Sequence, residues 1–318
     1  MAGKANHHFI PQFYLRNFSP AGDGRKAKVF CFDQSTRKSF ETLVRNVGSR
    51  RHFFRIDVEG YDPNHVEDGM AEIEGEISVH LAEVIEANSF PSDAHFSSVM
   101  LLMGNVAVRN PRFRSMIENF HLKVVNGVMK MMLQDKDRFD GSVKQARANG
   151  VPIRDDISYE DMRDFIDRGE YKVAIDQTYL IGLELEAVPT AVEQLARRSW
   201  SFASATPETT YATCDDPVVL AWADGTDRRP YSPGFGLAGT IVMVPITPKL
   251  ALIGLLNKQP AARIYRRDQV AGMNTSIAKN ATKQLYARDG SFELHTRTEP
   301  YVQGKDLGAS LERQARGR

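Results

Sequence analysis

The chain has 318 residues, and its 41 basic and 40 acidic side chains leave a net charge of only +1. This balance excludes a protein whose whole surface attracts nucleic acid or anionic lipid, so any contact with a polyanion must be local. No apolar run is long enough to cross a bilayer, and the first residues lack the apolar core of a signal peptide, which favours a cytoplasmic protein with no membrane partner.

A dense aromatic segment, His7–Phe18, lies near the start of the chain. Pro11 suits the first position of a helix, and apolar residues after it share one helical face. His7 and His8 would lie at the positive end of that helix, where a neutral imidazole can bind a metal or take a proton and spare N–H groups favour an anion. The same pattern is also typical of packed or capping histidines in an N-terminal clasp.

Two strand-like runs follow, Lys28–Asp33 and Ser39–Leu43, and the polar residues between them predict a β-hairpin. A third run, His52–Asp57, is expected to add an edge strand before turn-forming residues end the pattern. The sequence therefore predicts a small N-terminal sheet within residues 1–60.

From residue 64 apolar side chains recur every three or four residues, which predicts an amphipathic helix that ends near Ala87. Glu67 and Glu74 are seven residues apart, so they point in nearly the same direction at the edge of the apolar stripe. They could face one site together, although a helix this rich in glutamate is also typical of a solvated surface.

Two further helical stretches, Phe96–Val108 and Arg112–Leu133, meet at Pro111, where a helix should end, kink or restart. Arg109 lies at this junction and could hold a phosphate or carboxylate through bidentate hydrogen bonds. The arginines of this region could equally neutralise the acidic helix before them in ordinary ion pairs. The polar stretch 134–156 predicts a connection or a lid, after which helical periodicity resumes.

After residue 200 the composition turns to β-forming residues, which predicts an antiparallel or mixed sheet. Asp215 and Asp216 follow one strand, where a rigid sheet could aim both carboxylates into a cleft, although Asp-Pro is also an ordinary turn former. A final helix is predicted over Gln269–Ala287, and residues 305–318 are expected to be a flexible tail. The predicted strands are Trp200–Ser204, Tyr211–Cys214, Val218–Trp222, Gly239–Val244 and Leu250–Gly254.

Together these elements predict an α+β fold with a small N-terminal β-hairpin region, a helical middle, and a C-terminal antiparallel or mixed sheet with a final helix. We expect one composite domain. Its parts would be the N-terminal segment and small sheet (1–60), the helical region (64–198), the C-terminal sheet and helix (199–290), and the tail.

Several motifs resemble those of a known family in order and spacing. They are His-His-x-x-Pro-Gln-x-Tyr-Leu-Arg-x-Phe at 7–18, Arg109-Asn110-Pro111, Ala212–Val218, Pro245–Pro248 and Met273-Asn274. Over nearly the whole chain they resemble the bacterial domain-of-unknown-function 4238 family, which has no assigned activity. The family also carries glutamates in the helix after residue 64. Two positions depart from it: Cys214 stands where the family usually has serine, and Asp216 where it usually has asparagine, which places an extra carboxylate beside Asp215.

Familiar catalytic motifs are absent from the sequence. It contains no phosphate-binding loop, dinucleotide fingerprint, zinc-protease helix or serine-hydrolase elbow, so no nucleotide cofactor motif is present. The two cysteines, Cys31 and Cys214, match no metal-ligand spacing and indicate buried thiols in a reducing compartment.

The candidate site residues come from both ends of the chain. They are His7, His8, Glu67, Arg109, Asp215 and Asp216. If the fold brings the N-terminal segment against the C-terminal sheet, His8, Asp215 and Asp216 could bind Mg²⁺ or Mn²⁺. His7, His8 or Glu67 could activate water, and Arg109 could stabilise negative charge as it develops.

This set of residues predicts a metal-dependent phosphodiester hydrolase, either a nuclease or a nucleotide phosphodiesterase, with nucleic acid or a nucleotide as substrate. The resemblance, rather than any residue, suggests a setting in bacterial defence. A second interpretation is a binding or sensor module that holds an anionic ligand or a protein partner without turnover. In a third, every signature residue is structural, with the aromatic clasp locking the sheet and the polar groups forming a buried network.

Overall fold

A computed structural model describes residues 6–20, 24–154, 156–169, 171–226, 231–256 and 263–316. The fold is α+β, as predicted. The chain divides into two compact units, Met1–Phe113 with Ile181–Arg318, and Arg114–Leu180. None of the helices in the described ranges combines the length and apolar composition that a bilayer-spanning segment needs.

The helices of the described residues are α1 (Gln12–Arg16), α2 (His65–Ala87), α3 (Asp93–Val108), α4 (Pro111–Met132), α5 (Lys136–Ala148), α6 (Tyr159–Arg168), α7 (Gln177–Ala196), α8 (Arg267–Asn280) and α9 (Leu307–Arg316). The strands are β1 (Asn6–His8), β2 (Lys28–Asp33), β3 (Lys38–Leu43), β4 (Ser49–Arg51), β5 (Ser199–Ala205), β6 (Thr213–Cys214), β7 (Val219–Trp222), β8 (Thr240–Thr247), β9 (Leu250–Leu255), β10 (Arg263–Tyr265), β11 (Gln284–Ala287), β12 (Glu293–Leu294) and β13 (Val302–Gln303).

The larger unit contains a five-stranded sheet in the order β10-β5-β9-β8-β7. It is mixed, because β10 runs parallel to β5 while the other pairs are antiparallel. Both faces are covered: in β9, Leu250 and Leu252 pack with the apolar residues of α1, α2 and α3, and Ala251 and Ile253 pack with those of α8. This follows from the alternation of side chains along a strand.

The predicted hairpin is formed by β2 and β3, and it continues into a four-stranded sheet of order β3-β2-β11-β6. The strand that extends it, β11, comes from the C-terminal part of the chain and pairs antiparallel with both β2 and β6. Cys31 in β2 and Cys214 in β6 are both buried free thiols, as predicted. Burial raises the pKa of the Cys31 thiol to about 12, so this thiol is not an ionised ligand at neutral pH.

The aromatic segment anchors the N-terminus on the C-terminal strands. Tyr14 and Leu15 of α1, and Phe18 just after this helix, are buried in one core cluster. The Tyr14 hydroxyl donates to the carbonyl oxygen of Pro245 over 2.6 Å and lies 2.7 Å from Oγ1 of Thr213. The N-terminal segment therefore does lie against the C-terminal sheets, as the shared-site hypothesis required.

The described residues of the smaller unit, Arg114–Leu180, form α5, α6 and parts of α4 and α7, which are joined by non-helical segments. The polar stretch 134–156, expected to be a connection or lid, contains α5, whose N-cap Asp135 accepts a hydrogen bond from the N–H of Arg138 at 2.8 Å. Helix α6 begins in the same way at Ser158. The capping residues and the helix-forming lysine, glutamine, arginine and alanine side chains outweigh the single glycine of α5.

Three other segments differ from the sequence-based expectation. The strand predicted over His52–Asp57 is a turn followed by a loop. A strand forms just before it instead, because β1 pairs with residues 49–51, which are β4. Helix α8 ends at Asn280, and residues 284–287 form β11, since pairing with two strands overrides helical propensity there. The predicted flexible tail contains α9, because Leu307 and Leu311 pack into the core. Residues 317 and 318 of that tail lie outside the described residues.

Candidate functional site

Strand β1 divides the two N-terminal histidines between two environments. It pairs antiparallel with β4, with His7 opposite Arg50 and His8 opposite Ser49. Because successive side chains of a strand point to opposite faces, His7 enters the core and is fully buried, whereas His8 remains partly exposed. Of the pair, His8 is the histidine that a ligand from solvent can reach.

His8 lines a cleft of about 550 Å³ whose walls come from β1, α1 and α2. Glu67 and Glu74 line the same cleft. The α2 residues of this wall recur at three- and four-residue steps, so they share one face of the helix. The cleft thus brings together one imidazole and two carboxylates. Its lining residues are Asn6, His8, Gln12, Phe13, Arg16, Glu67, Met70, Ala71, Glu74, Gly75 and Ser78.

A second cleft, of about 340 Å³, adjoins the first and shares Gln12 and Arg16 with it. Its other lining residues include Arg25 and Arg45. His8 lies close to this second cleft as well, because its Nε2 is 3.3 Å from the carbonyl oxygen of Arg45. The Nε of Arg16 is buried and makes no hydrogen bond within the described part of the chain. We call the two clefts the His8 cleft and the arginine cleft.

His7 and Arg109 meet at one aromatic ring. The Nδ1 of His7 accepts a hydrogen bond from the backbone N–H of Phe54 over 2.9 Å, and the two rings are nearly parallel with centroids 6.3 Å apart. The guanidinium carbon of Arg109 lies 4.4 Å from the centroid of the Phe54 ring. Both His7 and Arg109 are buried, and neither lines the His8 cleft or the arginine cleft. Their contacts with Phe54 hold the loop that follows β4.

Asp215 accepts hydrogen bonds from three consecutive backbone N–H groups. Its Oδ1 accepts from Thr282 over 2.8 Å, and its Oδ2 accepts from Lys283 over 2.7 Å and from Gln284 over 3.2 Å. These donors lie where α8 ends and β11 begins, so the carboxylate holds that turn. Burial raises the pKa of Asp215, and the three N–H donors oppose this effect.

Asp216 belongs to a neighbouring polar network. Its Oδ2 lies 3.2 Å from the Nη1 of Arg112, and its Oδ1 lies 3.4 Å from the Nδ2 of Asn110. Asn280 links to both members of the ion pair, since it accepts from Arg112 and donates to the Asp216 carbonyl oxygen. Burial raises the pKa of the Asp216 carboxyl to about 7, although the Arg112 cation opposes this rise.

The structure therefore brings together some of the predicted site residues and separates others. His8 and Glu67 share a cleft, but in the described ranges the ligand atoms of His8, Asp215 and Asp216 do not come within 4.8 Å of one another as a group. The backbone turn before β11 engages Asp215, and Arg112 engages Asp216. Among the described residues, His8, Asp215 and Asp216 are thus not grouped as the metal-site hypothesis expected.

A comparison with protein families assigns the chain to a family without assigning a reaction. The sequence model of the protein family DUF4238, whose description is "protein of unknown function", matches residues 6–291 of the chain. The chain belongs to this family. No curated protein and no solved structure matches the chain.

In this member of the DUF4238 family, the clefts contain polar residues that the sequence did not reveal as site candidates, among them Asn6, Gln12 and Arg16. Asn6 lies two residues before His8 on β1 and therefore on the same face of that strand. Gln12 and Arg16 are four residues apart, one turn along α1, and both contribute to the two clefts. The i, i+4 spacing within the N-terminal signature was the available signal, but it could not show which face would remain open.

Proposed function

We propose that the protein is a metal-assisted phosphodiester hydrolase that acts in the His8 cleft. The observation that carries this proposal is that Gln12 and Arg16 line both clefts. Carboxylates and an imidazole thereby lie next to guanidinium groups, which pair with phosphate oxygens through planar hydrogen bonds. The arginine cleft would hold a phosphate of the substrate, and the His8 cleft would carry out the reaction.

The glutamates of α2 suit Mg²⁺ or Mn²⁺. Magnesium is usually held by one or two carboxylates together with water and substrate phosphate, rather than by a complete cage of protein ligands. Seven residues of helix separate the backbones of Glu67 and Glu74 by about 10 Å, which leaves room between the side chains for a phosphoryl group and its ion. In this proposal Glu67 and Glu74, rather than Asp215 and Asp216, are the carboxylates that would hold the ion.

The reaction would be attack of water on the phosphorus atom, with formation of one P–O bond and cleavage of the bond to the leaving oxygen. His8 would transfer a proton, either from the attacking water or to the leaving oxygen. The ion and Arg16 would stabilise the charge that develops on the phosphoryl oxygens.

The test uses labelled RNA, DNA and nucleotides with Mg²⁺, Mn²⁺ or EDTA. The variants are His8→Gln, Glu67→Gln and Glu74→Gln, and the matched control is Glu76→Gln, an exposed glutamate of the same helix that does not line the cleft. We expect metal-dependent cleavage that falls at least about 100-fold in the three cleft variants and is unchanged in the control.

Two results would contradict the proposal. The first is cleavage at the same rate in the wild type and in all three cleft variants. The second is the absence of cleavage with every substrate and metal. If the second result came with Arg16-dependent binding of an oligonucleotide, the evidence would favour the binding module.

A further inference from the structure

We propose that His80, Glu83 and His95 form a binding site for a zinc-class transition-metal ion between α2 and α3. In the described part of the chain they are the group of three histidine, cysteine or carboxylate residues whose ligand atoms lie within 4.8 Å of one another. None of the three lines the His8 cleft or the arginine cleft, so this site is separate from the proposed hydrolytic one. Two imidazoles and one carboxylate are a known zinc donor set that leaves a coordination position open.

Both imidazoles are oriented by serine hydroxyls through the same ring nitrogen. The Nδ1 of His80 lies 2.6 Å from the Oγ of Ser98, and the Nδ1 of His95 lies 2.7 Å from the Oγ of Ser92. This leaves Nε2 of each ring for an ion. A second hydrogen bond that fixes the tautomer and the ring orientation is the usual support of a metal-binding histidine.

The position of Ser92 adds an independent observation. Ser92 is the N-cap residue of α3, where a serine hydroxyl usually accepts a hydrogen bond from a backbone N–H of the first turn. Here its side chain makes no such capping bond and contacts the ring of His95 instead. The helix thus gives up a capping interaction in favour of the orientation of this imidazole.

The spacing of the ligand atoms suits closure around an ion. His95 Nε2 and Glu83 Oε2 are 2.5 Å apart and share a hydrogen bond, and the centroids of the two imidazole rings are 4.7 Å apart. Around a tetrahedral ion with bonds of about 2.1 Å, ligand atoms are roughly 3.4 Å apart. The Glu83 side chain is 51% exposed, so it can move by the required distance of under about 1 Å.

Metal binding through Nε2 of His95 would move the proton that this nitrogen shares with Glu83 to Nδ1 of the same ring, and the bound ion would link α2 to α3. The imidazole Nδ1–H groups would then donate to Ser92 and Ser98. Magnesium, which prefers oxygen ligands, should not compete.

The test measures Zn²⁺ binding to the metal-free chain of 318 residues by titration calorimetry, with Co²⁺ absorption as a second readout of coordination. The variants are His80→Ala, His95→Ala and Glu83→Gln, which keeps a hydrogen-bond partner for His95. The matched control is His65→Ala, which removes an exposed histidine from the same helix. Ser98→Ala leaves all three ligands in place and tests the positioning role of the hydroxyl.

We expect one Zn²⁺ per chain, an affinity at least about tenfold weaker in each ligand variant, and the wild-type affinity in His65→Ala. Ser98→Ala should weaken binding without abolishing the Co²⁺ spectrum. The proposal would be overturned if the wild-type chain bound no Zn²⁺, or if Glu83→Gln and His95→Ala bound it as tightly as the wild type. Glu83→Gln changes an exposed side chain, so it keeps the test decisive even if a histidine variant fails to fold.

Discussion

Replacement of Asp216 by asparagine tests how burial controls the ionisation of this carboxyl group. The side chain of Asp216 is only 9% exposed, whereas the side chain of its partner Arg112 is 44% exposed and contacts solvent. The effect of burial on the carboxyl group therefore exceeds the opposing effect of the Arg112 cation, and the pKa of Asp216 rises from 3.8 to about 7. Asparagine is nearly isosteric, keeps one acceptor oxygen and does not titrate.

The sign of the pH effect follows from the raised pKa. Between about pH 4 and pH 7 the folded chain holds this proton while the unfolded chain has released it. The free energy of unfolding should therefore fall as the pH rises through this window, and the loss should be complete above pH 7. A difference of about 3 pKa units corresponds to at most about 4 kcal/mol.

The assay is urea unfolding of the wild type and Asp216→Asn at pH 4.5, 6 and 8, at constant ionic strength. Subtracting the free energies of unfolding of the two proteins at each pH removes the contribution of titratable groups that both proteins share. We expect the stability of the variant relative to the wild type to increase by about 2 to 4 kcal/mol from the lowest pH to the highest. Parallel profiles, with a constant difference, would refute the reasoning.

Three further predictions concern packing and buried hydrogen bonds, and each is measured by urea unfolding. Tyr14→Phe removes the hydroxyl that donates to a buried carbonyl at 2.6 Å and should cost about 1 to 3 kcal/mol; a loss below 0.5 kcal/mol would contradict this. Gly104→Ala should destabilise by about 1 to 3 kcal/mol, because a Cβ there would lie 2.5 Å from Val192, whereas Gly127→Ala in the open interior of α4 should stabilise by up to about 1 kcal/mol. Asp215→Ala leaves three backbone N–H groups without their acceptor and should cost at least about 2 kcal/mol; unchanged stability would argue against its structural role.

Local patterns were sufficient where one regular element determined the outcome. The three- and four-residue spacing predicted α2, which runs from His65 to Ala87. The same spacing predicted that Glu67 and Glu74 would point in one direction, and both line the His8 cleft. Alternation of β-forming and turn residues likewise predicted the hairpin and five of the C-terminal strands.

Long-range pairing decided the segments that the sequence analysis misassigned. Residues 284–287 have helix-compatible side chains, yet they form β11 because β2 and β6 offer hydrogen-bonding partners on both sides. The strand β1 could not be identified from three residues, since its pairing depends on β4, more than 40 residues away. Because β1 was not predicted, the sequence also did not show that His7 is buried while His8 is partly exposed.

The sequence by itself determined the fold class, several long helices, and seven of the thirteen strands in the described residues, because periodicity and turn chemistry act over short stretches of chain. Only the tertiary structure decided which candidates share a cleft, because burial and hydrogen-bond partners come from residues distant in sequence. Asp215 shows the difference most clearly. Its position after a strand suggested a metal ligand, but three backbone N–H groups from residues 282–284 use its carboxylate to hold a turn.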